Sequence, residues 1–314
     1  MGRVLGRRLL TTIPLVFIVT LATFMLTYLI PGDPAITILG QESTPERVEA
    51  VRERLGLDEP LLEQYADWIS GVPTLDLGTS LFSSEPVRDT LANRIPVTLS
   101  LTAAALAVAV AIGVPAGIIA ATNPGRWLDR LATFMATLGV AAPSYLIGAL
   151  LIAGLAIENS LFPATGYTPI SESFTGWLRS ITLPAIALGT AAAAEITRQL
   201  RGSLRDVLQQ DYVRTARAMG LRGRLVVAKY GLKNAMIPLV TVIGFQVTSL
   251  LGGTVLVEQI FGIPGLGSLA VAKVLEQDIP VVQGIVLVSV LVVVATNLVV
   301  DLLYSFLDPK VRVR

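Results

Sequence analysis

The chain has 314 residues, 53% hydrophobic and 15% charged, with 24 basic and 23 acidic side chains and neither cysteine nor histidine. A soluble domain carries roughly 25% charged residues, so this composition points to a bilayer as solvent. The missing residue types exclude disulfides, thiolate metal sites, thiol nucleophiles and imidazole acid–base chemistry, and a net charge of +1 gives no case for nucleic-acid binding.

Charge-free stretches fall at 9–30, 95–125, 131–157, 180–194, 234–257 and 279–300. Five of them reach or exceed the roughly 20 apolar residues that cross a hydrocarbon core, and the fourth, which is short, continues to about Thr197 if Glu195 is tolerated near its end. The first is too long for the apolar region of a cleaved signal peptide and reads as a retained span. Gly113, Pro115, Gly117, Gly139, Pro143 and Gly148 punctuate the second and third, as is common where helices pack closely in membranes. No run alternates with period two, so a membrane barrel is not supported. The expected fold is an all-α polytopic membrane protein with six transmembrane helices.

Basic residues orient these spans. Arg3, Arg7 and Arg8 precede the first, Arg126 and Arg130 lie between the second and third, and Lys310, Arg312 and Arg314 close the chain. Nine basic residues against Asp206 and Asp211 occupy 198–233. With six spans all four segments share one side, the cytoplasm by the positive-inside rule, so both termini are expected there. The bias to arginine over lysine, with abundant Ala, Val and Gly, points to a GC-rich bacterial genome, for which the inner membrane is the expected location. The opposite side is acidic. Residues 31–94 carry five arginines and twelve acids, too many residues for a simple turn. Within them 44–54 and 61–68 read as helices, with Pro45 in a first turn after Thr44. Val51, Leu55, Leu61, Tyr65 and Trp68 supply apolar anchors, favouring a small ordered extracytoplasmic domain over a disordered loop. The division is therefore 1–30 (N-terminus and first span), 31–94 (outer domain), 95–307 (core with five spans, including a cytoplasmic loop at 198–235) and 308–314 (tail).

The loop at 198–235 is the most informative stretch. Asp211-Tyr-Val-Arg-Thr-Ala-Arg-Ala-Met-Gly-Leu221 reads as a short amphipathic helix with Asp211 as its cap. Tyr212, Ala216 and Met219 are expected on one face, Arg214 and Arg217 on another, and Gly220 as the left-handed stop. A second helix is expected over 225–232. Such a helix–Gly–helix connection can carry a rigid-body push, because a packed helix moves as a unit. The plainer alternative is a basic loop that only fixes topology.

Arg214-Thr-Ala-x-x-x-Gly220 resembles the EAA coupling loop of binding-protein-dependent ABC importers, with Arg214 and Thr215 in place of the general motif's Glu and first Ala, and Lys233 in place of its proline. Those departures are similar to the peptide-permease pattern DYVRTARAKGL…LRNALIP, against Asp211 to Leu221 and Leu232-Lys-Asn-Ala-Met-Ile-Pro238 here. Pro31-Gly-Asp-Pro34, Leu55-Gly-Leu-Asp-Glu-Pro60 with Gln64-Tyr65, Asp76-Leu-Gly78, Val257-Glu-Gln-Ile-Phe-Gly-Ile-Pro-Gly-Leu-Gly267 and Asp301-Leu-Leu-Tyr-Ser-Phe-Leu-Asp-Pro-Lys310 extend the resemblance, to the B-type permease of dipeptide and oligopeptide importers. It implies a type I ABC importer permease fold and a second, homologous permease as partner. It further implies two ATPase subunits that bind ATP and magnesium, an extracytoplasmic peptide-binding protein, a peptide substrate, and coupling through Asp211, Arg214, Thr215, Ala216, Arg217, Gly220 and Leu221.

No Gly-x-x-x-x-Gly-Lys-Ser/Thr loop occurs, and glycine-rich 262–267 lacks a lysine, so no cofactor or nucleotide site is expected in this chain, nor catalysis by it. In the fifth span Gln246 and Ser249, three residues apart, are the expected path-lining groups, while its glycines are expected to pack. Glu258, Phe261 and Pro264 belong to an expected outer loop that meets the binding protein. Glu195 and Asp301 invite a proton-carrier reading. Pairing of Glu195 with Arg198 is the competing one. A glutathione or nickel-chelate importer of the same family and a proton-coupled transporter are the alternatives.

Overall fold

The computed structural model describes residues 2–27 and 33–307, with side chains over 13–26 and 33–300. The residues at 31 and 32, the side chain of Asp301, those of the N-terminal arginines and the basic tail fall outside that description. In chain order the helices are α1 (Gly2–Thr27), α2 (Pro34–Leu39), α3 (Pro45–Leu55), α4 (Leu61–Gly71), α5 (Val87–Thr122), α6 (Trp127–Ala141), α7 (Ser144–Glu158), α8 (Phe174–Leu208), α9 (Asp211–Ala218), α10 (Gly223–Phe261), α11 (Leu266–Glu276) and α12 (Ile279–Leu307). No strand occurs among the described residues; the pair Thr79–Pro86 is an isolated bridge.

Among the described residues four helices are long and apolar enough to cross a membrane: α5, α8, α10 and, over Ile279–Val300, α12. A fifth span results if α6 and α7 count as one, and the apolar stretch Ile13–Leu26 of α1 stands where the first span is expected. The third expected span is not a straight rod. α6 and α7 meet at a 100° bend. Pro143 causes it: the residue has no N–H for the helix ladder and holds Ala142 in extended backbone (φ −81°, ψ 123°).

The chain divides into two compact units, Met1–Thr98 with Pro264–Val294, and Leu99–Ile263 with Ala295–Arg314. In the first, Thr44 accepts from Arg47 N–H and Pro45 opens α3, while Gly56 ends it in left-handed backbone (φ 64°). Asp33 caps α2 through Ala35 N–H and also takes Arg52 Nε and Nη2 at 3.0 and 2.5 Å, which raises the guanidinium pKa above its ordinary value. Tyr65 is buried between Phe17 and Phe24, and its hydroxyl bonds Thr20 at 2.8 Å. Leu61, expected as an anchor, is exposed. The core gathers Leu77, Val87, Leu91, Leu266, Val281 and Ile285. Close approach of α12 to α5 depends on Gly284, where a Cβ would stand 2.7 Å from Val87 Cγ1.

The same unit holds a buried ion cluster. Asp278, with no exposed surface, accepts from Ser80 Oγ (2.5 Å) and Leu81 N–H (3.1 Å), and lies 3.2 Å from Lys273 Nζ. Lys273 also donates to Glu276 at 2.7 Å. Burial alone would depress the ammonium, but the two carboxylates override it and hold its pKa above the usual 10.5.

In the second unit α8 is the hub. Its apolar window is 72% buried, against 28% in α5 and α10. The sequence reason is a ladder of small residues on facing helices. A Cβ on Gly189 would sit 2.6 Å from the Ala105 carbonyl, on Gly113 2.7 Å from the Ala193 carbonyl, on Gly117 2.9 Å from Leu200 Cβ, and on Gly139 3.1 Å from Ala194 Cβ.

Candidate functional site

The end of α8, the connection 209–222 and the start of α10 form one packed assembly. α8 runs to Leu208, so Arg198, Arg201 and Arg205 stand on a helix and not in the loop expected at 198–235. At its last turns Leu204 and Leu208 are buried, and Gly231 of α10 lies against them, where a Cβ would come within 2.9 Å of Leu204 Cδ1. The separate helix expected over 225–232 is instead a π-helical first stretch, Val226–Leu232, of the continuous α10.

α9 packs on the ends of α8 and α10. Its inward face is Val213 and Ala216, both almost fully buried. Tyr212 and Met219, expected on that face with Ala216, are exposed. The short β-branched Val213 fits the close approach to α8, whereas Tyr212 lies alongside α10 and takes Asn234 Nδ2 on its hydroxyl at 2.8 Å. Asp211 does not cap: Gln210 holds the cap position without a side-chain bond, and Asp211 is the first helical residue, 3.5 Å from Arg214 Nη1. An acid in a first turn still complements the helix dipole. Gly220 ends the helix as expected. Its φ is +81°, its N–H bonds the Arg217 carbonyl at 2.9 Å, and Leu221 N–H reaches the Ala216 carbonyl at 3.4 Å. These two bonds make a Schellman closure, which favours glycine at the left-handed position. Arg214, Thr215, Arg217 and Met219 are left facing outward, and Leu221 is half-buried.

A bidentate pair braces the same end. Asp129, in the first turn of α6 and buried, receives Arg201 Nε at 2.5 Å and Nη2 at 3.0 Å, and Gly125 N–H at 2.9 Å. Sequence reasoning misses Asp129, whose one signal is that of a lone acid between Arg126 and Arg130. Glu195 is paired with Arg198, which favours the pairing reading over the proton-carrier one.

Elsewhere, Ser249 is exposed and Gln246 half-buried on α10. Of its glycines, Gly244 packs against Val300 and Gly253 against Leu188, while a Cβ on Gly252 would meet nothing within 4 Å. Glu258 and Phe261, expected to meet a partner at the outer loop, are buried, so of that trio Pro264 alone is exposed. The physical reason lies in Phe261, whose ring fills the space left by Gly148 (2.9 Å to a Cβ there) and whose carbonyl accepts Gly166 N–H at 2.8 Å.

The family model described as binding-protein-dependent transport system inner membrane component matches residues 113–313, and its N-terminal companion matches 1–102. The chain belongs to this family. It is thus a multi-pass inner-membrane permease, the transport component of a binding-protein-dependent ABC importer, and the proton-coupled alternative falls away. The permease is 42% identical over 306 residues to the glutathione transport system permease protein GsiC of Escherichia coli (strain K12), covering 98% of this chain and 97% of that one. It is 40% identical, over 98% of both chains, to a Brucella abortus (strain 2308) protein whose name assigns it to a peptide transport system as permease. A chain of the MetNI methionine ABC transporter, solved in inward-facing conformations, superposes with a TM-score of 0.58 at 18% identity, covering 69% of this permease and 96% of that chain. At that identity the likeness establishes the fold.

Proposed function

We propose that this permease forms half of the translocation path of an ATP-driven importer of di- or oligopeptides, with a second homologous permease as the other half. Two ATPase subunits, which bind the ATP and magnesium, engage the outward face of α9 through Arg214, Thr215, Arg217 and Met219. Val213 and Ala216 on the inner face transmit their movement to α8 and α10. An extracytoplasmic binding protein delivers the substrate on the side of the acidic segment 33–94, and both termini are cytoplasmic. Gln246 and Ser249 line the path.

The observation that carries this reading is α9 itself: a short helix with an exposed basic face, seated on the ends of two spans and locked by Gly220. A loop that only fixed topology would need no such closure. Because open space surrounds Gly220, a substitution there acts through backbone strain alone, worth about 1–2 kcal/mol at a left-handed position. Gly220→Val should uncouple ATP hydrolysis from uptake in the reconstituted complex, whereas Gly220→Asn, which tolerates left-handed backbone, should retain most transport. Equal transport by both would remove the coupling assignment. In this cysteine-free chain a cysteine introduced at Met219 should be labelled only from the cytoplasmic side.

A second substrate, glutathione, is favoured by the 42% identity to GsiC. Competition of dipeptides and glutathione for uptake by the assembled transporter separates the two.

A further inference from the structure

An open cavity of about 790 Å³ lies where three spans end, between the last turns of α5 and α8, the Arg217 end of α9 and the first turns of α10. Sites of this size, about 300–1,000 Å³, enclose drug-sized molecules. Its walls are of two kinds. Ile118, Leu208 and Val227 make an apolar side, and Arg205, Arg217 and Arg224 a basic one. No acid lines it, and none of the three arginines is in an ion pair among the described residues. The nearby carboxylate of Asp129 is already taken by Arg201.

Depth decides what such a cavity suits. The charge-free run of α5 ends at 125, so the Ile118 wall stands at the edge of the hydrocarbon, while Arg205 and Arg224 lie outside the charge-free runs 180–194 and 234–257, on the headgroup side. Trp127, 70% exposed at the start of α6, is the kind of residue that settles at that boundary. A soluble anion would use the arginines and leave the apolar wall wet. A segment of a soluble partner would meet that wall only at membrane depth. A glycerophospholipid uses both sides, with its phosphate on the arginines and its upper acyl carbons along Ile118, Leu208 and Val227.

We propose that this cavity is a binding site for one anionic phospholipid of the adjoining leaflet. The site uses the membrane reading of α5, α8 and α10 and does not depend on which substrate is carried. With Arg217 shared between the cavity and α9, the bound lipid is in contact with the coupling helix.

The test is native mass spectrometry of the full chain titrated with dioleoylphosphatidylglycerol or dioleoylphosphatidylcholine. Wild type should bind phosphatidylglycerol at least tenfold more tightly. Arg205→Gln with Arg224→Gln should weaken it about 30-fold, from about a fivefold loss per arginine near a charged surface, and Arg205→Lys with Arg224→Lys should keep most of it. Equal binding of the two lipids, or equal phosphatidylglycerol binding by wild type and the glutamine variant, would overturn the proposal. So would full displacement by inorganic phosphate, which would make the ligand a soluble anion. Loss of the lipid on adding the ATPase subunits would also overturn it, assigning the cavity to an acidic segment of theirs.

Discussion

Removing Arg201 and removing Asp129 should not cost the same, although the two make one ion pair. Asp129's side chain is 5% exposed and Arg201's 29%. Arg201→Met strands a carboxylate in the interior, with Gly125 N–H left as a donor to it, and breaking a buried pair in this way costs about 3–5 kcal/mol. Asp129→Asn keeps an oxygen for Gly125, and Arg201 can turn its head toward water. The loss is then close to that of a charged hydrogen bond, about 1.5–3 kcal/mol. A gap of about 2 kcal/mol is roughly 30-fold in the unfolding equilibrium. Replacing both, Asp129→Leu with Arg201→Met, should recover most of the loss, since well-packed apolar pairs substitute for buried ion pairs at little cost. Unfolding of the purified chain by sodium dodecyl sulfate in mixed micelles, followed by tryptophan fluorescence, measures all three. Equal losses for the two single variants, or a double variant less stable than Arg201→Met, would refute the idea that the unequal burial of the two partners sets the cost of losing each.

Packing and charge elsewhere in the chain lead to two more expected outcomes. Gly189→Ala forces a Cβ to 2.6 Å from a backbone carbonyl and should lower stability by about 1–3 kcal/mol, the usual cost of overpacking, whereas Gly252→Ala, inside α10, meets nothing and should not lower it in the same unfolding assay. Lys273→Met leaves fully buried Asp278 with Ser80 and Leu81 as donors and should cost about 3 kcal/mol. Because the folded ammonium titrates above 10.5, the advantage of wild type over Lys273→Met should hold from neutral pH up to that value and shrink as pH rises through the raised value. Thermal unfolding of both proteins across that range checks the sign. An advantage that grew as pH rose through that value would contradict it.

Charge-free length and charge asymmetry make the helical membrane architecture legible, because the bilayer imposes both on a sequence directly. Caps are legible for a related reason: Thr44, Pro45 and Gly220 act through their own backbone and need no distant partner. What stays hidden depends on partners. Arg198, Arg201 and Arg205 read as loop charges, since the sequence does not show that Asp129, 72 residues away, lets α8 carry an arginine inward. Size and apolarity assign Tyr212 to the buried face of α9. The space beside α8 admits Val213 and Ala216 instead, and no periodicity rule measures that space. Pro143 reads as punctuation, yet a 100° bend requires knowing that α6 and α7 each find a place on α8.

The arginines around the coupling helix therefore do different work despite sharing one stretch of sequence. Arg201 is spent inside, on Asp129. Arg198 is held by Glu195 and Arg214 lies beside Asp211. Of the four that remain, Arg205, Arg217 and Arg224 converge on the cavity at the span ends, while Arg222 lies outside its lining. A basic segment serving topology alone has no reason to sort its charges this way, because the positive-inside rule counts arginines without regard to where each points. The sorting is what a surface needs if one part must stay rigid under the membrane while another part must hold an anion against it.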